Sequence, residues 1–403
     1  MDGPQARGYN EDESMTIYFV AGEVSADNHS AALMRSLRML DPELKFIGRG
    51  GPQMQQVAGA QFKNWIGDAA VLGLWEVLRK YGYFREQFRQ TLNEIQQSKP
   101  DAVVLIDYPG FNLRLARALR RQSQRHKTIY YISPQVWAWN RGRIKRMAHF
   151  IDLVLCIFPF ETDLYAASGL RAVFVGHPMI ERLETQRIDT HRDQNLVGLF
   201  PGSRSREVRK IFPVMIEAAR RLLQLNPTLR FQVAAASEEL AREMSEQLAD
   251  RQAIEITVGQ TATIMQRAFA AMVASGSATL EAAYFGMPFV LIYKVAWPTY
   301  VAARLVVNVD FLGMPNLLAG KEVVPEFIQH EAKPDAILKD VRLLMEDSPA
   351  RDRMISDFVA TTSKLGGTGA SERAAQAILE ELKERRSQNR PGGLETVSPW
   401  RTR

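Results

Sequence analysis

Short, continuously apolar runs alternate with helix-length amphipathic segments along this chain, and that alternation constrains it most. The runs stand at 16–21, 44–48, 102–107, 128–132, 153–158 and 172–175, then again at 195–200, 230–235, 254–258, 270–274 and 288–293. Helical patterns fill many of the gaps, at 28–40, 84–98, 111–125, 207–224 and 238–251. A strand that is apolar at every position has no wet face. It belongs in a parallel sheet covered by helices on both sides. Strand–helix alternation also argues against an all-β sandwich. The fold class expected is α/β, with two Rossmann-like lobes of doubly wound type.

The two series meet at 180–194, ERLETQRIDTHRDQN, a charged stretch with few apolar residues that reads as a linker. The division expected is a disordered extension at 1–14, a first lobe at 15–183, a second lobe with the C-terminal helices at 184–385, and a disordered tail at 386–403. Doubly wound sheets bind ligands beyond the C-terminal ends of their strands, so the cleft is expected where the lobes face each other.

Composition narrows the function. The 403 residues suit about two domains. Lys and Arg number 51 against 45 Asp and Glu, a net charge of +6 that permits an anionic substrate or membrane surface and does not call for nucleic acid. The one cysteine, Cys156, sits in an apolar run and reads as core. The six histidines show no metal-ligand spacing, so no metal ligands are assigned. The N-terminal segment is polar and acidic, and no stretch reaches the ~18 apolar residues of a spanning helix. The expectation is a cytoplasmic protein that touches a membrane without crossing it.

Four strand ends carry polar residues where an α/β site is built. In Gly22-Glu23-Val24-Ser25-Ala26-Asp27, Gly22 lets the backbone approach a ligand at a helix start; a cap by Ser25 or Asp27 explains the segment equally well. Asp107, in Ile106-Asp107-Tyr108-Pro109-Gly110, is a carboxylate at the mouth of a buried strand. Such a group suits a general base, and also a loop cap before a Pro-Gly turn. Gly202-Ser203-Arg204 leads from strand to helix and combines backbone N–H groups, a hydroxyl and a cation, as a diphosphate needs. Gly276-Ser277-Ala278-Thr279-Leu280-Glu281 is a second cradle, with Glu281 placed for ribose hydroxyls or for capping.

Two further stretches suggest lipid. Residues 71–84 place Val71, Leu74, Trp75 and Leu78 on one side, which suits a membrane interface and equally a buried helix. Trp137 and Trp139 precede the basic cluster Arg141, Arg143, Lys145 and Arg146. Arg114, Arg117, Arg121 and Arg125 recur at helical spacing and read as a solvated face, with anionic lipid or phosphate as the alternative.

Together the segments resemble the lipid-A-disaccharide synthase family, over about residues 16–385. The resemblance rests on GEVSAD at 22–27, the G-x-x-E-V-L element at 73–78, IDYPGFN at 106–112, YISPQVWAW at 131–139, FPFE at 158–161, VGHP at 175–178, LFPGSRSREV at 199–208, SGSATLEAA at 275–283 and PNLLAG at 315–320. It departs at Ala26, where glycine is expected, and at Gly110, where aspartate is frequent.

The resemblance implies a GT-B glycosyltransferase that needs no cofactor or metal. It implies transfer from UDP-2,3-diacylglucosamine to 2,3-diacylglucosamine 1-phosphate (lipid X), with inversion, at the cytoplasmic face of the inner membrane of a Gram-negative bacterium. Asp107 is then the catalytic base, and Glu23, Ser25, Asp27 and Asn112 stand on the acceptor side. UDP falls to Gly202, Ser203, Arg204, Gly276, Ser277, Thr279, Glu281 and Asn316. The partners expected are the two lipid substrates and an anionic membrane surface, not nucleic acid; a homodimer is left open. Two rivals remain at this stage: another GT-B enzyme, such as a nucleotide-sugar epimerase or a transferase for a soluble sugar, and a non-catalytic two-lobed binding protein.

Overall fold

The computed structural model describes residues 14–69, 81–122, 126–139, 142–248, 253–306 and 309–388. They form two compact units. One takes in the chain up to Pro178 and again from Gly369; the other is Met179–Thr368.

The first unit holds a parallel sheet. Its strands are β1 (Thr16–Ala21), β2 (Lys45–Gly50), β3 (Lys63–Asn64), β4 (Ala102–Ile106), β5 (Lys127–Tyr131), β6 (Leu153–Cys156) and β7 (Ala172–Phe174), in the order β3-β2-β1-β4-β5-β6-β7. The second unit has β8 (Asp193–Phe200), β9 (Arg230–Ala235), β10 (Ile254–Val258), β11 (Ala268–Ala274), β12 (Phe289–Tyr293) and β13 (Glu326–Ile328), ordered β10-β9-β8-β11-β12-β13 and also parallel. All five residues of β4 are buried, as are all seven of β11, which is why neither alternates. In each sheet the order reverses beside the first strand of the series. The switch points therefore lie between β1 and β4, and between β8 and β11.

The helices cover these sheets with one apolar face. Helix Ser205–Leu225 buries Val208, Ile211, Phe212, Met215, Ile216, Ala219 and Leu222, the three-and-four spacing of an amphipathic helix. Helix Tyr81–Ser98 is tied to its sheet by charge. The buried Arg49 at the end of β2 donates to Glu94 Oε1 at 2.6 Å and Oε2 at 3.0 Å, and Tyr18 Oη donates to Glu94 Oε2 at 2.6 Å. Burial pushes the Glu94 carboxyl up, but hydrogen bonds from Arg49, Lys63 and Tyr18 outweigh it and hold the group at about 2. Cys156 is buried, and burial pushes its thiol well above the ordinary value.

The domain expectation needs two corrections. The first lobe ends at Pro178 rather than at 183: helix Met179–Thr185 groups with the second unit, where its Arg182 pairs with Glu281 at 2.7 Å. Helix Ala370–Gln388 belongs to the first unit, not the second. Its Glu381 is nearly inaccessible and pairs with Lys127 Nζ at 2.6 Å and Arg171 Nη1 at 3.0 Å. The same helix continues through 386–388, residues expected to be disordered. The rest of that tail and residues 1–13 lie outside the described residues. Strands β3 and β13 gave no sequence signal; they are two and three residues long, the first wholly polar and the second only partly apolar.

Candidate active site

Register brings three segments of the first lobe together. Ala21 pairs with Ile106, and Ile106 with Tyr131, so the loops after β1, β4 and β5 emerge side by side at the switch point. Asp107 and Tyr108 are both left-handed, at φ 45° and 48°, and so is Ile132 on the neighbouring strand end, at φ 60°. Non-glycine residues, a β-branched one above all, hold that conformation only where surroundings enforce it. Here the enforcement is visible. The Asp107 N–H donates to Tyr131 O at 3.1 Å, and the Asp107 carbonyl accepts from Tyr130 Oη at 2.5 Å and from Asn112 Nδ2 at 2.9 Å. The carboxyl is half-buried. Burial first, then repulsion from Glu23, pushes it from 3.8 up to about 6, against a smaller downward pull from the Tyr108 N–H. A carboxylate poised there accepts a proton near neutral pH.

The other acceptor-side residues divide. Glu23 and Ser25 are exposed at the start of helix Val24–Leu40. Asp27 is not available: its buried carboxylate accepts from the N–H groups of Gly51, Gln53 and Met54 at 2.9–3.0 Å and fixes the start of helix Pro52–Ala58. Gly51 has to be glycine, since a Cβ would lie 2.4 Å from that carboxylate. Asn112 is also buried. Its amide donates to the carbonyls of Ile106 and Asp107, so it holds the turn that carries Asp107 and does not face a ligand. Gly22 makes a close approach, but to Tyr108, whose ring would be 2.5 Å from a Cβ there. The Ala26 methyl is buried away from solvent.

Sequence reasoning missed Tyr130 and Glu161. Tyr130 lies in an apolar strand and gives no outward sign. Glu161 is fully buried and accepts from Trp137 Nε1 at 3.0 Å and the Phe158 N–H at 3.2 Å, joining the loops after β5 and β6. Burial pushes its carboxyl up to about 7, although the hydrogen bonds from Ser133, Trp137 and the backbone lower it. The signal for Glu161 was its third place after Phe158, the capping-box offset.

In the second lobe Phe200 pairs with Val273, so the cradles after β8 and β11 are neighbours. Gly202 has φ 112°, and a Cβ there would meet Glu207 Oε2 at 2.7 Å. Arg204 is exposed and held by Glu207 at 2.9 Å, and Ser203 is exposed beside it. Gly276 has φ 152° and precedes helix Ser277–Tyr284, where the Thr279 N–H turns back to Gly276 O at 3.2 Å and the Ser277 and Ala278 N–H groups begin the helix without an intrahelical acceptor; Ser277 is exposed there.

Two UDP assignments change, those of Thr279 and Asn316, and a third residue, Glu281, is paired within its own lobe. Thr279 is buried and its hydroxyl donates to Gly276 O at 2.7 Å, so it shapes the cradle from behind. The Glu281 carboxylate is engaged by Arg182. Asn316 is buried with both side-chain atoms occupied: Nδ2 donates to Val324 O and Glu326 Oε1, and Oδ1 accepts from the Val323 and Val324 N–H groups. It anchors a loop, and Glu326, which also accepts from the Leu312 and Gly313 N–H groups, shares the task.

Of the residues assigned to lipid, Val71, Leu74, Trp75, Leu78 and Arg141 lie outside the described residues. Arg143 and Arg146 line a cavity of about 410 Å³ that also receives Arg114, Arg117 and Arg121; Lys145 is exposed outside it. The arginines of helix Pro109–Arg121 are exposed and border this cavity. Among the described residues no helix is long and apolar enough to cross a membrane, and no cluster of His, Cys, Asp and Glu has the grouping of a metal site.

Two doubly wound parallel-sheet lobes, with a raised carboxyl at a strand end of one and glycine-led strand–helix turns side by side in the other, have the architecture of the GT-B glycosyltransferase type. In fold it is similar to the UDP-GlcNAc 2-epimerase of Neisseria meningitidis, solved with UDP-GlcNAc (TM-score 0.60, 14% identity, 91% of this chain and 99% of that one). It is also similar to MurG of Acinetobacter baumannii (TM-score 0.53, 14% identity, 91% and 100%). Residues 17–380 match the family described as lipid-A-disaccharide synthetase, and the chain belongs to that family. A lipid-A-disaccharide synthase of Geobacter sulfurreducens is 39% identical over 385 residues, 92% of this chain and 98% of that protein.

Proposed function

We propose that this enzyme transfers 2,3-diacylglucosamine from UDP-2,3-diacylglucosamine to the 6-hydroxyl of lipid X, with Asp107 as the general base. The product is the β-1,6-linked disaccharide 1-phosphate, and UDP leaves. An α-linked donor giving a β product is inverted, so one in-line displacement suffices. In that step the acceptor O–H gives its proton to the Asp107 carboxylate, its oxygen bonds the anomeric carbon, and the bond from that carbon to the diphosphate oxygen breaks. The observation that carries this reading is the Asp107 carboxyl, raised to about 6 at the switch point of its sheet and fixed through its own backbone.

The departing diphosphate gathers charge that fixed donors can stabilise. The first N–H groups of helix Ser277–Tyr284, the Ser277 hydroxyl and Arg204 are suited to that task, and Gly202 and Gly276 admit the approach of the phosphates. Glu281 reaches ribose on this reading by exchanging Arg182 for a hydroxyl. Glu23 and Ser25 remain for the acceptor.

Both substrates are acylated, so the enzyme meets them at the cytoplasmic face of the inner membrane. Val71, Leu74, Trp75 and Leu78 supply that contact on the pattern of their sequence, with Arg141 and Lys145 adding attraction to anionic lipid. The test is release of UDP by purified protein supplied with both lipids. An epimerase instead converts a UDP-sugar with no acceptor present, and a binding protein releases nothing.

A further inference from the structure

Helix Pro109–Arg121 and helix Gly142–Met147 border the basic groove of the first lobe. Its walls carry Arg114, Arg117, Arg121, Arg143, Arg146 and His149, and no carboxylate lines it. Among the described residues none of Arg114, Arg117, Arg121 or Arg146 has an acidic partner within ion-pair distance, although most other charged pairs of the protein sit at 2.5–3.0 Å. Like charges gathered this closely repel, because they lie within a Debye length of about 8 Å at physiological salt. The last-turn arginines gain something from the helix dipole, but Arg114 and Arg117 lie too far from the helix end for that. An anion in the groove removes the repulsion.

The type of cation narrows the anion. Every fixed cation on the walls is arginine, whose planar fork matches two phosphate oxygens at once. The position narrows it further. Pro109 and Gly110 line one end of the groove, directly after Asp107 and Tyr108, and nothing stands within 4 Å of where a Gly110 Cβ would be. One helical turn, about 5.4 Å, leads from there to Arg114. Leu113 and Phe150 add apolar wall beside the charges.

We propose that this groove is the site for the phosphate monoester of the acceptor lipid, which it holds while the hydroxyl of the same sugar lies at Asp107. The proposal rests on the reading of this lobe as the acceptor side. It makes the groove the element that distinguishes a phosphorylated acceptor from its unphosphorylated form, and it takes Arg143 and Arg146 away from the general membrane surface.

The test compares equilibrium binding of 2,3-diacylglucosamine 1-phosphate and its dephosphorylated form, both in nonionic detergent micelles, to the wild type and to Arg114→Gln/Arg117→Gln. Wild type should prefer the phosphorylated lipid. The variant should lose about tenfold or more of that preference, as expected for charge-assisted hydrogen bonds, with affinity for the dephosphorylated lipid and for UDP unchanged. The pair Arg114→Lys/Arg117→Lys keeps the charge and loses the fork, so it should recover only part of the preference and stand between the glutamine variant and wild type.

An unchanged preference in the glutamine variant overturns the proposal. So does an equal loss for both lipids. Loss of binding to phosphatidylglycerol-containing vesicles with the preference intact also overturns it and gives the arginines to bilayer headgroups. Because binding is read without turnover, absence of UDP release would sink the reaction and leave this comparison standing.

Discussion

Replacing Asp107 by asparagine removes a charge that the folded protein holds unfavourably. Its carboxyl rises from 3.8 to about 6, chiefly by burial and then by the charge on Glu23. About two pKa units correspond to about 3 kcal/mol between the protonated and ionised forms. The folded state binds this proton more tightly than the unfolded state. The penalty is therefore absent below about pH 4, grows as pH rises to about 6, and is complete above that. Asparagine keeps an oxygen for the Tyr108 N–H and carries no charge. Urea unfolding should thus find the variant about 2–3 kcal/mol more stable than wild type near pH 7.5 and no more stable near pH 4. Turnover should fall by about 10²–10⁴, and the wild-type rate should climb with pH through about 6 to a plateau. A variant equal to wild type at both pH values, or less stable near pH 7.5, would refute the claim that burial poises this group.

Glu161 should give wild-type stability a second pH dependence, a loss of about 3 kcal/mol as pH rises from about 5 through 7, and urea titrations of Glu161→Gln should lack that slope. Gly202→Ala forces a Cβ against Glu207 at a left-handed position; calorimetry should show UDP bound several-fold more weakly, and an unchanged Kd would place the diphosphate elsewhere. Arg49→Met leaves Glu94 without its main buried partner and should cost about 3–5 kcal/mol in urea unfolding; a loss below about 1 kcal/mol would mean that the pair does not anchor helix Tyr81–Ser98. Trp75→Ser with Leu78→Ser should reduce binding to anionic vesicles at low salt and leave UDP affinity intact, whereas an unfolded variant would mark those side chains as core.

What the sequence made legible was local. Strands such as 102–107 stand out because burial on both faces leaves no polar position in them, and the loops after them stand out because polar and glycine residues interrupt that pattern. The places of Asp107, Gly202 and Gly276 in loops directly after strands were readable for this reason. The lost information was tertiary. Asp27, Asn112, Thr279 and Asn316 have the residue types of a ligand shell, yet all four are buried and hydrogen-bonded to backbone groups, some of them far along the chain. The return of helix Ala370–Gln388 to the first lobe depends on Lys127 and Arg171, more than 200 residues earlier. The basic groove needs two helices that the sequence keeps apart, one read as a solvated face and the other as a lipid contact.

The most direct test supplies the purified protein with UDP-2,3-diacylglucosamine and lipid X and follows both products, UDP by a coupled assay and the lipid by mass spectrometry. The account predicts one disaccharide 1-phosphate for each UDP released, strict dependence on the acceptor, and near-complete loss in Asp107→Asn with UDP affinity retained. UDP-sugar conversion without acceptor, or disaccharide formed at the wild-type rate by Asp107→Asn, would contradict it.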